Sequence, residues 1–474
     1  MNGHDLLTLG FPEGKIIGLA LRAVSKAAED GTPEMDIRRT LEALLNDPTS
    51  YGDDPLYGEV ARLLIDYMTP SAQPNLQTYA PYAIWGKQGI DPGAITQMER
   101  AVRLPISVRG ALMPDAHVGY GLPVGGVLAT HNAVIPYAVG VDIACRMRLT
   151  IFDTTPHIME QKRDKFRKLL ETLTCFGTGQ TWDTPRHHPV MDDPVWREHS
   201  LIGRFKDTAW KQLGTSGSGN HFVEFGSLSV NEPFALPSGQ ELATGKYLAL
   251  LSHSGSRRLG FEIANHYTEI AMNKWASLPK DYQHLAWLDL NSGAGEEYWV
   301  AMELAGRYAS ANHAIIHEQI IDALRFDVLG GVENHHNFAW KEIIEGQTLI
   351  VHRKGATPAG EGFLGVIPGS MIAPGYVVRG RGKAESLFSA AHGAGRKMSR
   401  REAFGRFDWD ALKRNLKRQN VELLSAGLDE APGAYKDIEQ VMAAQADLVT
   451  TLAEFQPRMV KMDGSTGKNY APED

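Results

Sequence analysis

The chain has 474 residues, of which 43% are hydrophobic and 22% charged, a globular composition that excludes disordered and fibrous proteins. Its formal net charge of −8 argues at first against a polyanionic partner, and its two cysteines exclude a disulfide framework. No apolar run approaches the roughly 18 residues of a membrane span, and the N-terminus lacks a signal-peptide layout. We therefore expect a cytoplasmic protein that does not bind membranes.

Residues 1–75 are predicted to form a helical N-terminal extension. Two segments with apolar residues at helical spacing flank a Gly-Thr-Pro break at 31–33. The Pro- and Ala-containing stretch 69–83 has no clear period and is the predicted linker. The remainder, 76–474, is predicted to be one main domain.

The main domain mixes strands and helices. Between 84 and about 260, short apolar runs bounded by glycines predict buried strands, whereas 300–326 shows a long helical repeat that starts near Glu296. The later predicted elements are strands at TLIVHRKGA and YVVRG, a basic helical segment at 399–424 and an amphipathic helix at 435–455. Because regular βαβ alternation is missing, we predict an α+β fold with mixed or antiparallel sheets.

Histidines recur at the ends of strand-like runs, each flanked by Gly, Ser or Asn. They are His221, His253, His352 and His392, and the segment ENHHNFAW adds His335 and His336. Glycine lets backbone N–H groups approach a ligand closely. A single histidine of this kind is usually structural, but the repetition favours a binding or catalytic role.

Asp142 and Cys145 lie three residues apart in VGVDIACRMR and could bind one ion. Thiolate and imidazole suit zinc or another late first-row metal, and the carboxylate extends the choice to manganese or iron. The alternative for Cys145 is a small buried residue in a strand. Cys175 has no such context and is predicted to be structural.

Two glycine-rich segments could bind phosphate. Asp115 and His117 lie in MPDAHVGYGLPVGGV, which could contact phosphate or simply make tight turns. The segment GSTGK at 464–468 lacks the spacing of a P-loop, and we reject it as a nucleotide site.

The charge is unevenly distributed along the chain. Residues 351–420 contain 14 basic and 5 acidic residues, a local net charge of +9, which leaves −17 on the rest. Arg353, Lys354 and Arg396 lie inside glycine loops, where forked or point-charge donors suit phosphate recognition. The alternative, a solvated basic helix, explains the residues from Lys413 to Arg418 well, but it does not explain these three.

From about residue 84 to 464 the sequence resembles the RtcB-type RNA-splicing ligases. The ordered motifs are PDAHVGYGLPVGG, VGVDIACRMR, GSGNHFVE, LSHSGSR, HHNFAWKE, VHRKGAT, IPGSM, HGAGRKMSR and APGAYKDI. Nine motifs in order make the resemblance highly specific. The first 75 residues have no counterpart in it.

The resemblance implies a ligase that uses GTP and two Mn²⁺ ions. It would join an RNA 3′-phosphate or 2′,3′-cyclic phosphate to a 5′-hydroxyl in RNA splicing or repair, including tRNA processing. His392 would be guanylylated and pass the guanylate to the RNA 3′-phosphate, which turns a poor electrophile into one with a good leaving group. An archease-type activating protein is a further expected partner, and we expect a monomer.

The resemblance also implies roles for individual residues. The metal ligands would be Asp142, Cys145, His221, His253 and His336, with the cysteine bridging both ions. The nucleotide contacts would be Asn220, His221, Phe222, Val223, Glu224, His336, Asn337, Pro368, Gly369, Ser370, Met371, His392, Gly393, Ala394, Gly395 and Asp463. RNA or nucleotide phosphates would be bound by Asp115, Arg257, Lys354 and Arg396.

Three positions depart from the family pattern. Arg146 follows the cysteine where glycine is common, and Gly375 stands where a nucleotide-contacting serine is usual. Asp463 aligns with a guanine-contacting lysine, although a shifted alignment offers Lys461. Since a carboxylate can accept hydrogen bonds from guanine, GTP remains the expected nucleotide. The alternatives are a metal-dependent phosphoesterase that acts on RNA ends, or a non-catalytic RNA-binding paralogue.

Overall fold

Short apolar runs form strands and longer amphipathic segments form helices, which confirms the predicted α+β fold. The structure is a computed structural model and describes residues 1–12, 14–69, 71 and 73–464. All of the rejected GSTGK segment except Gly464, and the last ten residues of the predicted 76–474 domain, lie outside the described residues. Across the described ranges, no helix is both long and apolar enough to cross a membrane.

The described residues form fifteen α-helices. They are α1 (Gly3–Leu9), α2 (Lys15–Glu29), α3 (Glu34–Asn46), α4 (Gly58–Met68), α5 (Pro92–Ala101), α6 (Pro136–Val139), α7 (His157–Gln161), α8 (Arg163–Leu173), α9 (Val195–Glu198), α10 (Ser200–Gln212), α11 (Arg257–Lys274), α12 (Gly293–Leu324), α13 (Arg400–Arg406), α14 (Trp409–Arg418) and α15 (Ile438–Ala444). The predicted long helix is α12, which begins at the Ser292 cap and ends at Arg325 in the left-handed region.

The strands form two main sheets and three two-stranded ribbons. They are β1 (Tyr82–Ile84), β2 (Ser107–His117), β3 (Val124–Thr130), β4 (Ala133–Val134), β5 (Arg146–Phe152), β6 (Phe222–Val230), β7 (Phe234–Ala235), β8 (Glu241–Leu242), β9 (Gly245–Ser254), β10 (Leu288–Asp289), β11 (Val328–His335), β12 (Asn337–Ile344), β13 (Gln347–Lys354), β14 (Ala356–Pro358), β15 (Leu364–Ile367), β16 (Gly375–Gly380), β17 (Ser389–Ala391), β18 (Glu422–Ser425) and β19 (Val449–Met462).

The first main sheet has five strands in the order β1-β2-β3-β13-β12. The second has eight, with seven in the order β11-β5-β9-β6-β19-β16-β15 and β18 paired with β19. Pairing is antiparallel except for β1 with β2 and β18 with β19, as the predicted mixed or antiparallel sheets require.

The chain crosses between the two sheets at His336. This residue lies between β11, which belongs to the eight-stranded sheet, and β12, which belongs to the five-stranded sheet. The neighbouring residues are fixed on either side, because His335 pairs with Arg146 and Asn337 pairs with Lys354. Residue 336 therefore sits where the ends of the two sheets meet.

Separate apolar cores cover the faces of the sheets. One face of the five-stranded sheet packs with α5, α6, α10, α11 and α12, whereas the other packs with β14, β17 and α15. The eight-stranded sheet has one core among its own strands and another beneath α8 and α12. Burial on both faces holds the strand ends, and the loops that follow them, in fixed positions.

The predicted helical extension is present as α1 to α4, which share a core of their own. It touches the main body through polar contacts: Lys15 Nζ lies 3.1 Å from Glu296 Oε2, and Lys274 Nζ lies 2.6 Å from Asp66 Oδ1. The Glu297 carboxylate accepts from the Lys15 N–H and the Tyr67 hydroxyl. Whether 1–75 and 76–474 are independent domains stays a prediction.

The predicted helix at 435–455 is wrong. Only Ile438–Ala444 is helical, and the chain then forms the 14-residue strand β19 in the middle of the eight-stranded sheet. The predicted helical segment 399–424 is confirmed as far as Arg418, after which Glu422–Ser425 is a strand. β19 lies between β6 and β16 and buries apolar side chains that a local period assigns to a helix, whereas β18 is a half-buried strand paired with β19.

Candidate active site

A cavity of about 810 Å³ lies where the two sheets meet. Residues from β2, β3, β12 and β13 line one side, and residues from β6, β9, β16 and β19 line the other. The His392 loop, which follows β17, closes it. A concave site of this size, lined by ionisable groups, is the expected place for chemistry.

Four candidate ligands come from one end of four adjacent strands. His336 follows β11, Cys145 precedes β5, His253 lies near the end of β9 and His221 precedes β6. These strands are neighbours in the order β11-β5-β9-β6 and are antiparallel, so the named ends share one edge of the sheet. Sheet topology therefore gathers side chains that are far apart in the sequence.

The first ligand group is Asp142, Cys145 and His221. His221 Nε2 lies 3.1 Å from Asp142 Oδ2 and 3.3 Å from Cys145 Sγ. Asp142 and Cys145 are close in the sequence and are joined by a tight turn. In this turn the Cys145 N–H donates to the Asp142 carbonyl, and Ala144 has φ 56°. All three residues are buried.

The second group is Cys145, His253 and His336. His253 Nε2 lies 3.1 Å from Cys145 Sγ and 3.2 Å from His336 Nε2. Both groups thus contain the same sulfur atom, and the donors of each lie within 4.8 Å of one another. A thiolate shared by two donor sets is suited to bridging two ions.

The surroundings of His253, His336 and Asp142 keep them in metal-binding forms. It lowers the pKa of His253 and His336 well below the ordinary histidine value, so both rings are neutral at pH 7. Burial alone would raise the pKa of Asp142, but the hydrogen bond and charge of His221 outweigh it and the net shift is downward. Neutral imidazoles beside a carboxylate anion form a donor set that fits a divalent cation.

His392 is paired with a fully buried carboxylate. Its Nδ1 lies 2.7 Å from Asp115 Oδ2, and the same oxygen accepts from the His392 N–H at 3.1 Å. The Asp115 side chain is 0% exposed and that of His392 is 15% exposed. This pairing directs Nε2 of His392 away from Asp115. The rings of His392 and His336 are 4.7 Å apart between centroids, so the pair adjoins the ligand cluster.

Glycine is required at two positions around His392. Gly395 has φ +73°, and a Cβ there would lie 2.1 Å from the Asp115 carbonyl oxygen. Gly355 has φ +60°, and its Cβ would lie 3.1 Å from His392 Cε1. Larger residues would push the His392 loop away from β2, which carries Asp115.

The expected phosphate contacts have different surroundings from those the resemblance implies. Asp115 does not line the cavity and instead holds His392. Lys354 does line it, but its Nζ donates to the carbonyls of Tyr120 and Tyr137, and burial lowers its pKa to about 7. Arg257 is buried with Nη2 3.1 Å from His221 Nδ1.

Arg396 lines the cavity, although acidic neighbours neutralise it. Its Nη1 lies 3.3 Å from Glu430 Oε1, and its guanidinium lies 5.2 Å from the centre of the Tyr435 ring. Arg400 shares Glu430 and Asp429, and sequence reasoning missed it. The sequence could have indicated Arg400, because it lies four residues after Arg396 in the same motif, HGAGRKMSR.

Most of the expected nucleotide contacts line the cavity. They are Asn220, Phe222, Glu224, His336, Asn337, Pro368, Gly369, Ser370, Met371, His392, Gly393, Ala394 and Gly395. Val223 is an exception, because it points to the opposite face of β6 and is buried in the core beneath α8. His221 lies behind the surface as part of the ligand cluster.

Asp463 lies away from this cavity, contrary to its expected guanine contact. It lines a second cavity of about 580 Å³ together with Lys461 and Cys175. Lys461 Nζ donates to the carbonyls of Leu170, Glu171 and Thr174 and so cannot replace it. Val460 and Met462 face the main cavity instead, as alternation along β19 requires.

Several other candidates are structural. His352 is buried, with Nδ1 3.1 Å from the Leu128 carbonyl and Nε2 accepting from the Ile135 N–H. His335 stacks on Trp340 rather than joining the ligand cluster. Arg353 forms a buried pair with Glu342, so its expected phosphate contact is wrong.

The departures Arg146 and Gly375 leave the ligand cluster intact. Arg146 points to Glu333 and to the Gly306 carbonyl. Gly375 lines the cavity, and a Cβ added there would meet neighbouring backbone atoms at 3.4 Å, an ordinary contact. A serine would therefore fit at 375, and its absence removes one hydroxyl from the cavity wall.

Comparison with known proteins gives a consistent result. The family described as "tRNA-splicing ligase RtcB" matches residues 97–200 and 196–463. The RNA-splicing ligase RtcB of Escherichia coli K12 is 32% identical over 407 residues, covering 79% of this chain and 95% of the relative. The tRNA-splicing ligase RtcB of Thermococcus kodakarensis is 30% identical over 421 residues, covering 73% and 86%. That of Archaeoglobus fulgidus is 29% identical, covering 84% and 98%.

Proposed function

The chain belongs to the RtcB family of RNA-splicing ligases, and on that basis we propose that it seals RNA through a guanylylated His392. It acts as an RNA ligase that joins a 3′-phosphate or 2′,3′-cyclic phosphate end to a 5′-hydroxyl end. GTP is the energy source and manganese the metal. The observation that carries the proposal is the His392–Asp115 pair beside the ligand cluster.

Asp115 makes His392 a nucleophile by fixing its tautomer. With Nδ1–H donating to Asp115 Oδ2, Nε2 keeps its lone pair and faces the cavity side of the ring. The buried carboxylate also stabilises the positive charge that develops on the ring as Nε2 forms a bond. His392 and Asp115 thus have the geometry of a nucleophile and the group that orients it.

A 2′,3′-cyclic phosphate end is first opened by water, which breaks the P–O2′ bond and leaves a 3′-phosphate and a 2′-hydroxyl. From the 3′-phosphate the reaction takes place in three steps. Nε2 of His392 attacks the α-phosphorus of GTP, and pyrophosphate leaves. An oxygen of the RNA 3′-phosphate then attacks the guanylate phosphorus, and the bond to Nε2 breaks. Finally the 5′-hydroxyl oxygen attacks the RNA 3′-phosphorus and GMP leaves, so each step is a single phosphoryl or nucleotidyl displacement.

Two manganese ions fit the ligand cluster. Asp142, Cys145 and His221 would hold one, and Cys145, His253 and His336 the other. A buried carboxylate, a shared sulfur and neutral imidazoles supply a mixed donor set that manganese accepts. When bound, the ions neutralise charge on phosphoryl oxygens. Asn337 supports the first set, because its Nδ2 donates to the Asp142 carbonyl.

Glu224 is the best candidate for reading the guanine base. It lies in the cavity wall on β6, is only 4% exposed, and burial raises its pKa well above the ordinary glutamate value. Burial favours the neutral carboxyl in the empty cavity, whereas two N–H donors aimed at it favour the carboxylate. The carboxylate can accept N1–H and N2–H of guanine, a pair of donors that adenine lacks. This assigns base selection to Glu224 rather than to Asp463.

The phosphoesterase alternative is less well supported. A hydrolase needs the ions and a water molecule, and it has no use for a histidine locked onto a buried carboxylate beside them. A non-catalytic paralogue would not need to retain this pair either. The intact His392–Asp115 pair therefore favours the ligase over both alternatives.

Incubation with α-labelled GTP and Mn²⁺ tests the proposal. The wild type should form an acid-labile protein–nucleotide adduct, and His392→Ala should form none. Asp115→Asn should slow adduct formation roughly 10²- to 10⁴-fold, because the amide no longer fixes the tautomer or stabilises charge. The measurement is labelled protein on a gel over time.

RNA provides the second half of the test. Wild-type protein should convert a 3′-phosphate strand and a 5′-hydroxyl strand into a longer product. An adduct on His392→Ala would contradict the proposed nucleophile. Dephosphorylation of the 3′ end without joining would favour the phosphoesterase.

A further inference from the structure

Three aromatic rings cluster at the side of the cavity formed by the five-stranded sheet. The ring centroids of Tyr120 and Tyr137 are 6.2 Å apart, and those of Tyr120 and His284 are 5.7 Å apart. The Tyr137 and His284 rings are 5.2 Å apart and meet edge to face. We call these three residues the aromatic platform. Both tyrosines line the cavity, and none of the steps above uses them.

Tyr120 is the exposed member of the platform. It lies at the tip of the loop between β2 and β3 and is 68% exposed, and its neighbour Val118 is also exposed. A large ring held open to solvent beside a catalytic cavity leaves one face available for stacking.

The loop that carries Tyr120 is held at three successive residues. The Gln97 side-chain amide donates to the Gly119 carbonyl and accepts from its N–H. Lys354 Nζ donates to the Tyr120 carbonyl. Gly121 has φ +68°, and a Cβ there would lie 2.4 Å from the His284 carbonyl oxygen. The ring is therefore presented on a fixed backbone rather than on a mobile loop.

The platform adjoins the nucleophile. Lys354, which holds the Tyr120 and Tyr137 carbonyls, is followed by Gly355, and Gly355 abuts His392. Tyr120 also follows the strand that carries Asp115. By contrast, Glu224 lies on the eight-stranded sheet, so a guanine bound there and a ring stacked on Tyr120 would occupy different sides of the cavity.

We propose that the aromatic platform is a stacking subsite for the terminal nucleobase of the RNA strand that carries the 3′-phosphate. The inference rests on the proposed function, because it names where the acceptor of the guanylate binds. That acceptor must bring its phosphate to His392, and the platform is the aromatic surface joined to His392 through Lys354 and Gly355. Unpaired RNA bases bind by stacking on such rings, whatever their sequence.

The test compares Tyr120→Ala with Tyr120→Phe. Alanine removes the ring, and phenylalanine keeps it without the hydroxyl. In both variants His392 guanylylation by GTP and Mn²⁺ without RNA should match the wild type. Transfer of guanylate to a 3′-phosphate RNA, measured in single turnover against RNA concentration, should require roughly 10-fold more RNA with Tyr120→Ala. Tyr120→Phe should behave as the wild type.

An RNA whose 3′-terminal nucleotide is abasic supplies a matched control on the ligand. Wild-type protein should need roughly 10-fold more of this RNA, and Tyr120→Ala should show no further loss, because the two changes remove the two halves of one contact.

Three outcomes would overturn the inference. In the first, Tyr120→Ala transfers guanylate with unchanged RNA dependence. In the second, only the final joining to the 5′-hydroxyl strand is impaired. In the third, Tyr120→Ala raises the RNA requirement as much with the abasic RNA as with the intact RNA. Failure of the wild type to form any guanylate adduct would instead refute the proposed function.

Discussion

Cys145 holds a position that no other described residue shares, since its sulfur belongs to both ligand groups. Asp142 and His221 complete one group, and His253 and His336 the other. Removing the sulfur thus takes a donor from each set at once. The remaining ligands would be two buried pairs, which bind a divalent ion far less well than three donors.

We expect Cys145→Ala to lose most of its bound manganese and its guanylylation activity together. Metal content measured by mass spectrometry after dialysis, beside the adduct assay, checks this. Cys175→Ala is the matched control, because Cys175 lines the second cavity and takes no part in the cluster. A Cys145→Ala protein with two ions and full activity would show that the sulfur does not bridge them.

At the residue scale, sequence context predicted the candidate metal ligands better than it predicted the residues that orient the site, such as Asp115. Histidines at strand ends marked the cluster, because strand ends with glycine loops converge at sheet edges. Asp115 was expected at a phosphate, since nothing local to PDAHVGYG shows that its carboxylate meets a residue 277 positions away. Such partners are fixed by tertiary contact and not by spacing.

Among the elements, β19 shows why local period failed at 435–455. Its burial alternates only partly, so its apolar residues fit a helical period nearly as well. Pro457 lies inside this central strand, and the register shifts directly after it, so the ladder tolerates the missing N–H there. β19 forms a strand because it pairs with β6 on one side and β16 on the other. These partners are distant in the sequence, so no local pattern predicts the pairing.

The docking of the N-terminal helices depends on the start of α2. Gly14 has φ +125°, and a Cβ there would lie 2.2 Å from Glu297 Oε2. We expect Gly14→Ala to undock α1 to α4 from α12. Limited proteolysis should then cleave the connection between α4 and β1 at least several-fold faster, because the freed helices pull on it, whereas guanylylation should stay near the wild-type rate.

Gly18→Ala is the control for that experiment. Gly18 lies inside α2 with nothing within 4 Å of an added Cβ, so alanine there should leave docking intact and stabilise the helix by about 0.5–1 kcal/mol. Equal protease resistance in Gly14→Ala and Gly18→Ala would show that the contact with Glu297 does not hold the helices in place.

At the scale of the whole molecule, buried neutral histidines make stability depend on pH. Burial lowers the pKa of His352 to about 4 and that of His313 to about 3. The unfolded chain takes up protons on these residues near pH 6.5, whereas the folded chain resists until lower pH. The contribution of these histidines to the free energy of unfolding is therefore greatest above pH 6.5 and falls as the pH drops towards 4.

His352→Gln isolates one of these contributions. The wild type should lose about 3 kcal/mol more than the variant between pH 6.5 and pH 4, the energy equivalent of the pKa shift of His352. Urea unfolding at a series of pH values measures it. Parallel stability curves for the two proteins would mean that His352 is not held neutral by the fold.

The α+β class was readable from the sequence, but the meeting of two sheets was not. Apolar runs bounded by glycine identify strands, whereas strand order depends on partners such as β5 with β9 and β13 with β3. Shared sequence context and the motif resemblance linked the distant histidines before those pairings were known. The +9 charge of residues 351–420 was also partly misleading, because Arg353 and Arg396 are paired with Glu342 and Glu430 inside the fold.

The candidate site is completed late in the chain, because His336, His392 and the central strand β19 all follow the first four ligands. A ribosome that has made the first 330 residues has made Asp142, Cys145, His221 and His253, but neither His336 nor His392. Such a nascent chain has the residues of one ligand group and lacks His392, the proposed nucleophile. Under the proposed function, termination before residue 392 would yield a fragment that neither consumes GTP nor seals RNA ends.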